Sequence, residues 1–270
     1  MNNFTRIITL LSVFVATLLF VVGPVSAQPV ALQPDQLDHL VSRIALYPDP
    51  LVAQILTAST YHEQIPEAAA WADGHSYLRG DQLASAISAD RLNWDPSVLA
   101  LLPFPSVLDM MNRDMSWTRQ LGDAVLTQRA EVMDAVQRMR RRAYDYGYLR
   151  SGAYVRVAAY PAYIEILPVD PAYIYVPVYD PVVVFSRPVG HVVVSAAISF
   201  GPPVFIAPAL VPFGWAHAGF VWPSHVLMID REPWRRAWDN RLTYVHPYQR
   251  PWHPVAPRIE RHELHGRLHR

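Results

Sequence analysis

Residues 116–147 read SWTRQLGDAVLTQRAEVMDAVQRMRRRAYDYG, and residues 161–176 read PAYIEILPVDPAYIYV. The two stretches obey different periods, and the change between them decides the fold class. In the first, Leu121, Ala124, Val125, Val132, Ala135, Val136 and Met139 recur at three- and four-residue steps, as on one face of a helix. Ser116 is placed to cap that run, and Gly147 to end it as the left-handed residue after the last turn. In the second stretch, Tyr163–Ile166 and Tyr173–Val176 are short runs of aromatic and β-branched residues. Each follows a Pro-Ala pair, and a Pro- and Asp-containing turn joins them. A multi-helix bundle that ends in one long helix and is followed by a small Tyr- and Pro-rich β unit makes an α+β protein.

Upstream of Ser116 the helical period persists. Leu37, Leu40, Val41 and Ile44 share a face, with Pro34 in the first turn and Pro48 after the last. Asp49-Pro50 reads as an N-cap with Pro at the first helical position, ahead of Leu51, Val52, Ile55 and Leu56. Pro66, Asp81, Asp95-Pro96 and Pro105 open further helices by the same devices. Residues 28–150 therefore read as a helical domain of about seven helices. Downstream, Val182–Phe185 reads as a third strand of a β unit over 151–187. Pro177 and Pro181 confine that part of the chain to an edge. Residues 30–187 are expected to fold as one protease-resistant unit.

Beyond the β unit the composition changes twice. From Pro188 to Ile229 there is no Asp, Glu, Lys or Arg. Pro202 and Pro203 interrupt any membrane-spanning helix there. Residues 188–230 read as strand and apolar loop laid on the core, with a partner-facing surface as the alternative. Residues 231–270 hold nine Arg, four acids and five His, a net charge of +5 with His neutral. With four late Pro, this segment reads as a basic and largely disordered tail.

All 23 basic residues are Arg, and 23 acids balance them. Zero net charge excludes attraction of the whole chain to nucleic acid. The absence of Cys excludes disulfides, thiolate metal sites and cysteine nucleophiles. At the N-terminus, Arg6 precedes an uncharged apolar run, Ile7 to Val22, then Gly23-Pro24 and the small-residue pattern Val25-Ser26-Ala27. This is the form of a secretory signal peptide over residues 1–27, cleaved between Ala27 and Gln28. A retained anchor helix is the alternative, but the run falls short of a bilayer. The expected product is periplasmic or secreted, peripheral to the envelope, with no transmembrane span in the mature chain.

Signals for chemistry are sparse. The sequence has no GxSxG elbow, no phosphate-binding GxxxxGK[ST] loop, no dinucleotide GxGxxG and no Lys, and no cofactor is expected. Asp49-Pro50, Asp95-Pro96, Asp170-Pro171 and Asp180-Pro181 repeat one motif. Asp49 and Asp95 could form an acid–base pair, but helix caps for the first two and turns for the others explain the spacing. An enzymatic site between the helices and the β unit would draw on Tyr163, Tyr173, Tyr175 and Asp180. His262, His265 and His269 share one side of any helix formed there and are weak candidate metal ligands. A solvated tail explains them as well. Arg138, Arg140, Arg141 and Arg142 crowd the end of the long helix, where they complement its dipole. Asp134 is spaced to pair with Arg138.

Longer motifs carry a family resemblance. IALYPDPLVAQILTASTY (44–61), WDPSVLALLPFPSVLDMM (94–111), WTRQLGDAVLTQRAEVMDAVQRMR (117–140) and YIEILPVDPAYIYVPVYDPVVVF (163–185) resemble the bacterial exported family called domain of unknown function 3300. The resemblance covers about residues 36–185 and implies an exported envelope protein with no assigned activity. The resulting expectation is a non-enzymatic interaction or structural module. Its partner would be an envelope component, either an anionic lipid or polymer surface or another envelope protein, and not nucleic acid. An enzyme of unrecognised type and a weak metal-binding His tail are the alternatives.

Overall fold

In a computed structural model of the chain, the described residues are 30–188, 197–206, 208, 210–215 and 217–238. Eight helices come first: α1 (Pro34–Val41), α2 (Asp49–Ser59), α3 (Ile65–Gly74), α4 (Gly80–Asp90), α5 (Pro96–Leu99), α6 (Pro105–Arg113), α7 (Met115–Thr127) and α8 (Arg129–Asp145). Next come β1 (Val155–Ala159), β2 (Ile164–Pro168), β3 (Tyr173–Ile174), β4 (Pro177–Tyr179) and a one-turn α9 (Pro181–Val184). The later strands are β5 (Ile198–Phe200), β6 (Val204–Phe205), β7 (Gly219–Val221), β8 (Val226–Ile229) and β9 (Glu232–Pro233). All pairings are antiparallel: β1 with β2, β3 with β6, β4 with β5, and β7 with β8 with β9. The expected α+β class is the observed one.

The centre of the molecule is α2. Ten of its eleven residues are buried, Asp49, Gln54, Thr57 and Ser59 among them. A helix buried on all sides must be enclosed by other elements, and α5, α7, β2, β7 and β8 enclose it. α1 lies along α8, and α3 along α6. Where α7 crosses α2, a Cβ on Gly122 would sit 2.1 Å from the Ser59 carbonyl oxygen, so only Gly permits the approach.

Several elements depart from their sequence-based reading. The run from Ser116 to Tyr146 is two helices, broken at Gln128, whose backbone is non-helical. The Gln128 side chain turns inward, accepts the Leu32 N–H at 2.7 Å and donates to the Leu32 carbonyl at 3.3 Å. That tertiary use leaves no Pro or Gly mark in the sequence. The cap of α7 is Asp114, which accepts the Trp117 N–H at 3.0 Å, while the Ser116 hydroxyl donates to Asp114. Asp81 lies inside the first turn of α4 and not at its cap. Val182–Phe185 is not a strand: Asp180 accepts the Val182 N–H at 2.8 Å and starts α9.

The β unit is held to the helices along the outer edge of β2. Gln137 on α8 accepts the Ile164 N–H at 2.7 Å and donates to the Ile164 carbonyl at 3.1 Å. Asp49 accepts the Ile166 N–H at 3.3 Å. Side chains thus take the place of a neighbouring strand, and the edge has no unpaired row of amides to offer.

Packing does not stop at residue 187. Ile206, Leu210, Trp215, Trp222, Leu227, Ile229 and Trp234 are all buried in the common core. The Trp215 indole donates to the Ala100 carbonyl at 2.9 Å, and Gln54 donates to the Gly214 carbonyl. Gly214 has φ +91, and a Cβ there would lie 2.9 Å from the Pro96 carbonyl oxygen. The start of the segment read as tail is also packed. Arg129 donates to the carbonyls of Trp234 (3.1 Å) and Arg236 (2.5 Å), and its guanidinium lies over the Trp234 ring. Among the described residues, no helix is long and apolar enough to cross a membrane.

Candidate interaction surface

At the junction of helices and β unit lies a buried ion pair. The Arg140 side chain is fully buried, and its Nη1 is 2.5 Å from Asp49 Oδ1. Arg140 also donates to the carbonyls of Ala45 (2.8 Å), Ile164 (2.9 Å) and Tyr47 (3.1 Å). The Trp222 indole donates to Asp49 Oδ2 at 2.9 Å, and the Arg140 guanidinium lies over the Trp222 ring. One carboxylate and one guanidinium thereby join α2, α8, β2 and the C-terminal segment. Desolvating both charges is tolerated because nearly every donor and lone pair has a partner. Asp49 is therefore not a cap: it sits inside α2, and its carboxylate is spent on tertiary partners.

Asp95 takes the other role expected for an Asp-Pro step. Its Oδ1 accepts the Ser97 N–H at 2.9 Å and the Ser97 hydroxyl at 2.6 Å, capping α5. Burial and the neighbouring Asp95 hold the Tyr61 hydroxyl far above its ordinary pKa. The Arg236 guanidinium covers the Tyr61 ring at 3.7 Å. The Tyr47 hydroxyl is pushed up to about 12 by burial. The Tyr179 hydroxyl is raised too, by burial and then by Tyr47. It donates to the Ser42 carbonyl at 2.9 Å and accepts the Leu46 N–H at 3.3 Å. Glu165 is raised by burial and by Asp49.

The residues considered for an enzymatic site serve separate local pairs. Tyr163 stacks on Tyr160, Tyr173 packs on Phe205, and Tyr175 packs on Tyr154. Asp180 caps α9, and Asp170 accepts the Ala172 N–H in a turn. The Arg cluster is divided as well. Arg138 pairs with Asp38 at 2.7 Å, Arg142 approaches Asp38 at 3.5 Å, and Arg141 donates to the Tyr160 carbonyl at 2.9 Å. The expected Asp134–Arg138 pair does not form, because Asp134 meets His225 at 2.7 Å. Ala27, Gln28, His262, His265 and His269 lie outside the described residues. Among the described residues, no three His, Cys, Asp or Glu side chains cluster as a metal site would require.

The surface feature that sequence reasoning missed runs beside β4 and α9. Two adjoining grooves of about 500 and 450 Å³ share Arg43 and Pro181. Asp35, His39 and Arg142 form a polar rim, and Phe185 and Tyr179 contribute aromatic walls. Next to them Val182 is 76% exposed, Val178 59% and Val183 40%. Val182 and Val183 read as strand residues by composition, but the one-turn helix started by Asp180 turns them to the surface, beside Val178 on the outer side of β4.

The comparisons with known proteins agree with this architecture's extent. The family model described as "Protein of unknown function (DUF3300)" matches residues 33–249. The Escherichia coli (strain K12) protein titled "Uncharacterized protein YacH" is 32% identical in an alignment 223 residues long that covers 68% of this chain and 34% of that protein. The chain thus spans about a third of the length of this curated relative. No solved structure matches. The chain belongs to the DUF3300 family of proteins of unknown function.

Proposed function

We propose that this chain is an exported cell-envelope protein acting as a non-enzymatic interaction module, and that it docks another envelope protein along the β4–α9 face. The observation that carries this reading is the row of exposed valines, Val178, Val182 and Val183, beside a groove with a polar rim. An apolar patch edged by charges is the usual anatomy of a protein-binding surface. Export is supported by the uncharged run Ile7 to Val22 and by Val25-Ser26-Ala27 ahead of Gln28. The interior supports a structural use of its charges, since Asp49 and Arg140 are closed to solvent and already paired.

A photo-crosslinking residue placed at Val182 in the exported protein, in cells, tests the docking face. A discrete adduct is expected from position 182, and none from Tyr77, which is 73% exposed on the loop between α3 and α4. Absence of any adduct at 182, or the same adduct from both sites, would contradict the reading. The tail is assigned a second, looser contact. Residues 239–270 carry six Arg and three acids, a net +3, and five His. His protonation below about pH 6.5 raises that charge, so binding to anionic vesicles is expected to strengthen at pH 5.5 relative to 7.5. Deleting 239–270 should remove the difference.

A further inference from the structure

We propose that the cavity between the turn after α8 and strand β5 binds a linear carboxylate with an apolar chain, and that Arg150 is its anion receptor. The cavity holds about 500 Å³, within the range of small-molecule sites. Leu46, Leu149 and Val155 form buried walls, and Ile198 and Phe200 close it from β5. Arg150 is the one charged side chain on the lining.

Arg150 is exposed at the mouth of the cavity, and one hydrogen bond orients its guanidinium. Its Nε donates to the Gly147 carbonyl at 2.9 Å. Gly147 has φ +83, and a Cβ there would stand 2.9 Å from Arg150 Nη2. The left-handed turn favours glycine at 147, and the guanidinium lies directly over it. With Nε anchored, the Nη donors remain as a fork. Among the described residues, no carboxylate pairs with that fork. Ser151, also on the lining, is already spent: it accepts the Val157 N–H at 2.9 Å.

A fixed guanidinium fork is matched bidentately by a carboxylate. The walls behind it are matched by a hydrocarbon chain, whose burial drives binding by area. A small anion would leave the walls wet, and a neutral chain would leave the fork to water, so the two features together favour one molecule carrying both groups.

The test titrates the full mature protein with decanoate and follows binding by calorimetry and by NMR of the ligand. Decanol supplies the chain without the charge, acetate the charge without the chain, and decyl phosphate a different head. Saturable one-to-one binding of decanoate is expected, with magnetisation transfer from its chain to Phe200. Arg150→Gln should weaken the affinity about tenfold or more, the size of one lost charge-assisted hydrogen-bonded pair. Ile198→Trp should abolish binding by filling the cavity while Arg150 remains. Circular-dichroism melts check that both variants keep the wild-type midpoint. Equal affinity of wild type and Arg150→Gln would overturn the proposal, as would no saturation by decanoate. Tighter binding of decyl phosphate would overturn the choice of a carboxylate.

Discussion

A carboxylate without water must spend both oxygens on donors, and Asp49 does so on Arg140, Ile166 and Trp222. Removing one partner of such a pair leaves the other charge buried and uncompensated. Arg140→Met should therefore destabilise the protein by about 3–5 kcal/mol. Arg140→Met combined with Asp49→Leu should cost less than the sum of the two single changes, which urea melts of all three variants measure. Additive losses would mean that the charges do not act as a pair. Glu165, beside this pair, carries a testable sign. Its carboxyl is raised in the folded state by burial and by Asp49, so folding favours its protonated form. That contribution is present below the ordinary carboxylate range and is lost as pH rises through the folded pKa. Glu165→Gln should raise the unfolding midpoint at neutral pH and leave it unchanged near pH 3.5, below the ordinary Glu value of about 4.3. A lower midpoint at neutral pH would show Glu165 serving its charged partners instead. None of this was legible from the motif alone. Asp49-Pro50 and Asp95-Pro96 have the same local form and both Asp side chains are buried, and only the surrounding packing gives one to distant partners and leaves the other as a cap.

Helices were legible where their own residues make the argument. Asp95 caps α5 as its spacing predicts, and Asp95→Ala should cost about 0.5–2 kcal/mol in denaturant melts; an unchanged midpoint would remove it as a cap. Pro34, Pro50, Pro66, Pro96 and Pro105 each sit in a first turn. What the local sequence did not show is set by distant partners. The break between α7 and α8 depends on Gln128 reaching Leu32. The docking of β2 depends on Gln137 and Asp49. The crossing of α2 and α7 depends on Gly122, which gives a prediction at this scale. A methyl at 122 would press on the Ser59 carbonyl, so Gly122→Ala should destabilise by about 1–3 kcal/mol or more through overpacking. Thermal melts check it, and a neutral result would mean that the two helices separate without cost.

At the scale of the whole molecule, the α+β class and the order of helices before strands follow from the change of apolar period after Gly147. The extent of the folded unit does not. A stretch without charge, rich in Pro and with weak alternation, offers no internal signal of where it packs. Its role appears through residues such as Trp215, Trp222 and Leu227, buried against elements far away in sequence. The segment that carries Trp215, Trp222, Leu227 and Ile229 completes the core around α2, with the Trp222 indole bonded to Asp49. Equilibrium urea unfolding of fragments 28–187 and 28–238, beside the mature chain, tests it most directly. Fragment 28–238 should unfold cooperatively at the midpoint of the mature chain, and fragment 28–187 should show no cooperative transition. A cooperative transition of 28–187 at that same midpoint would contradict the claim.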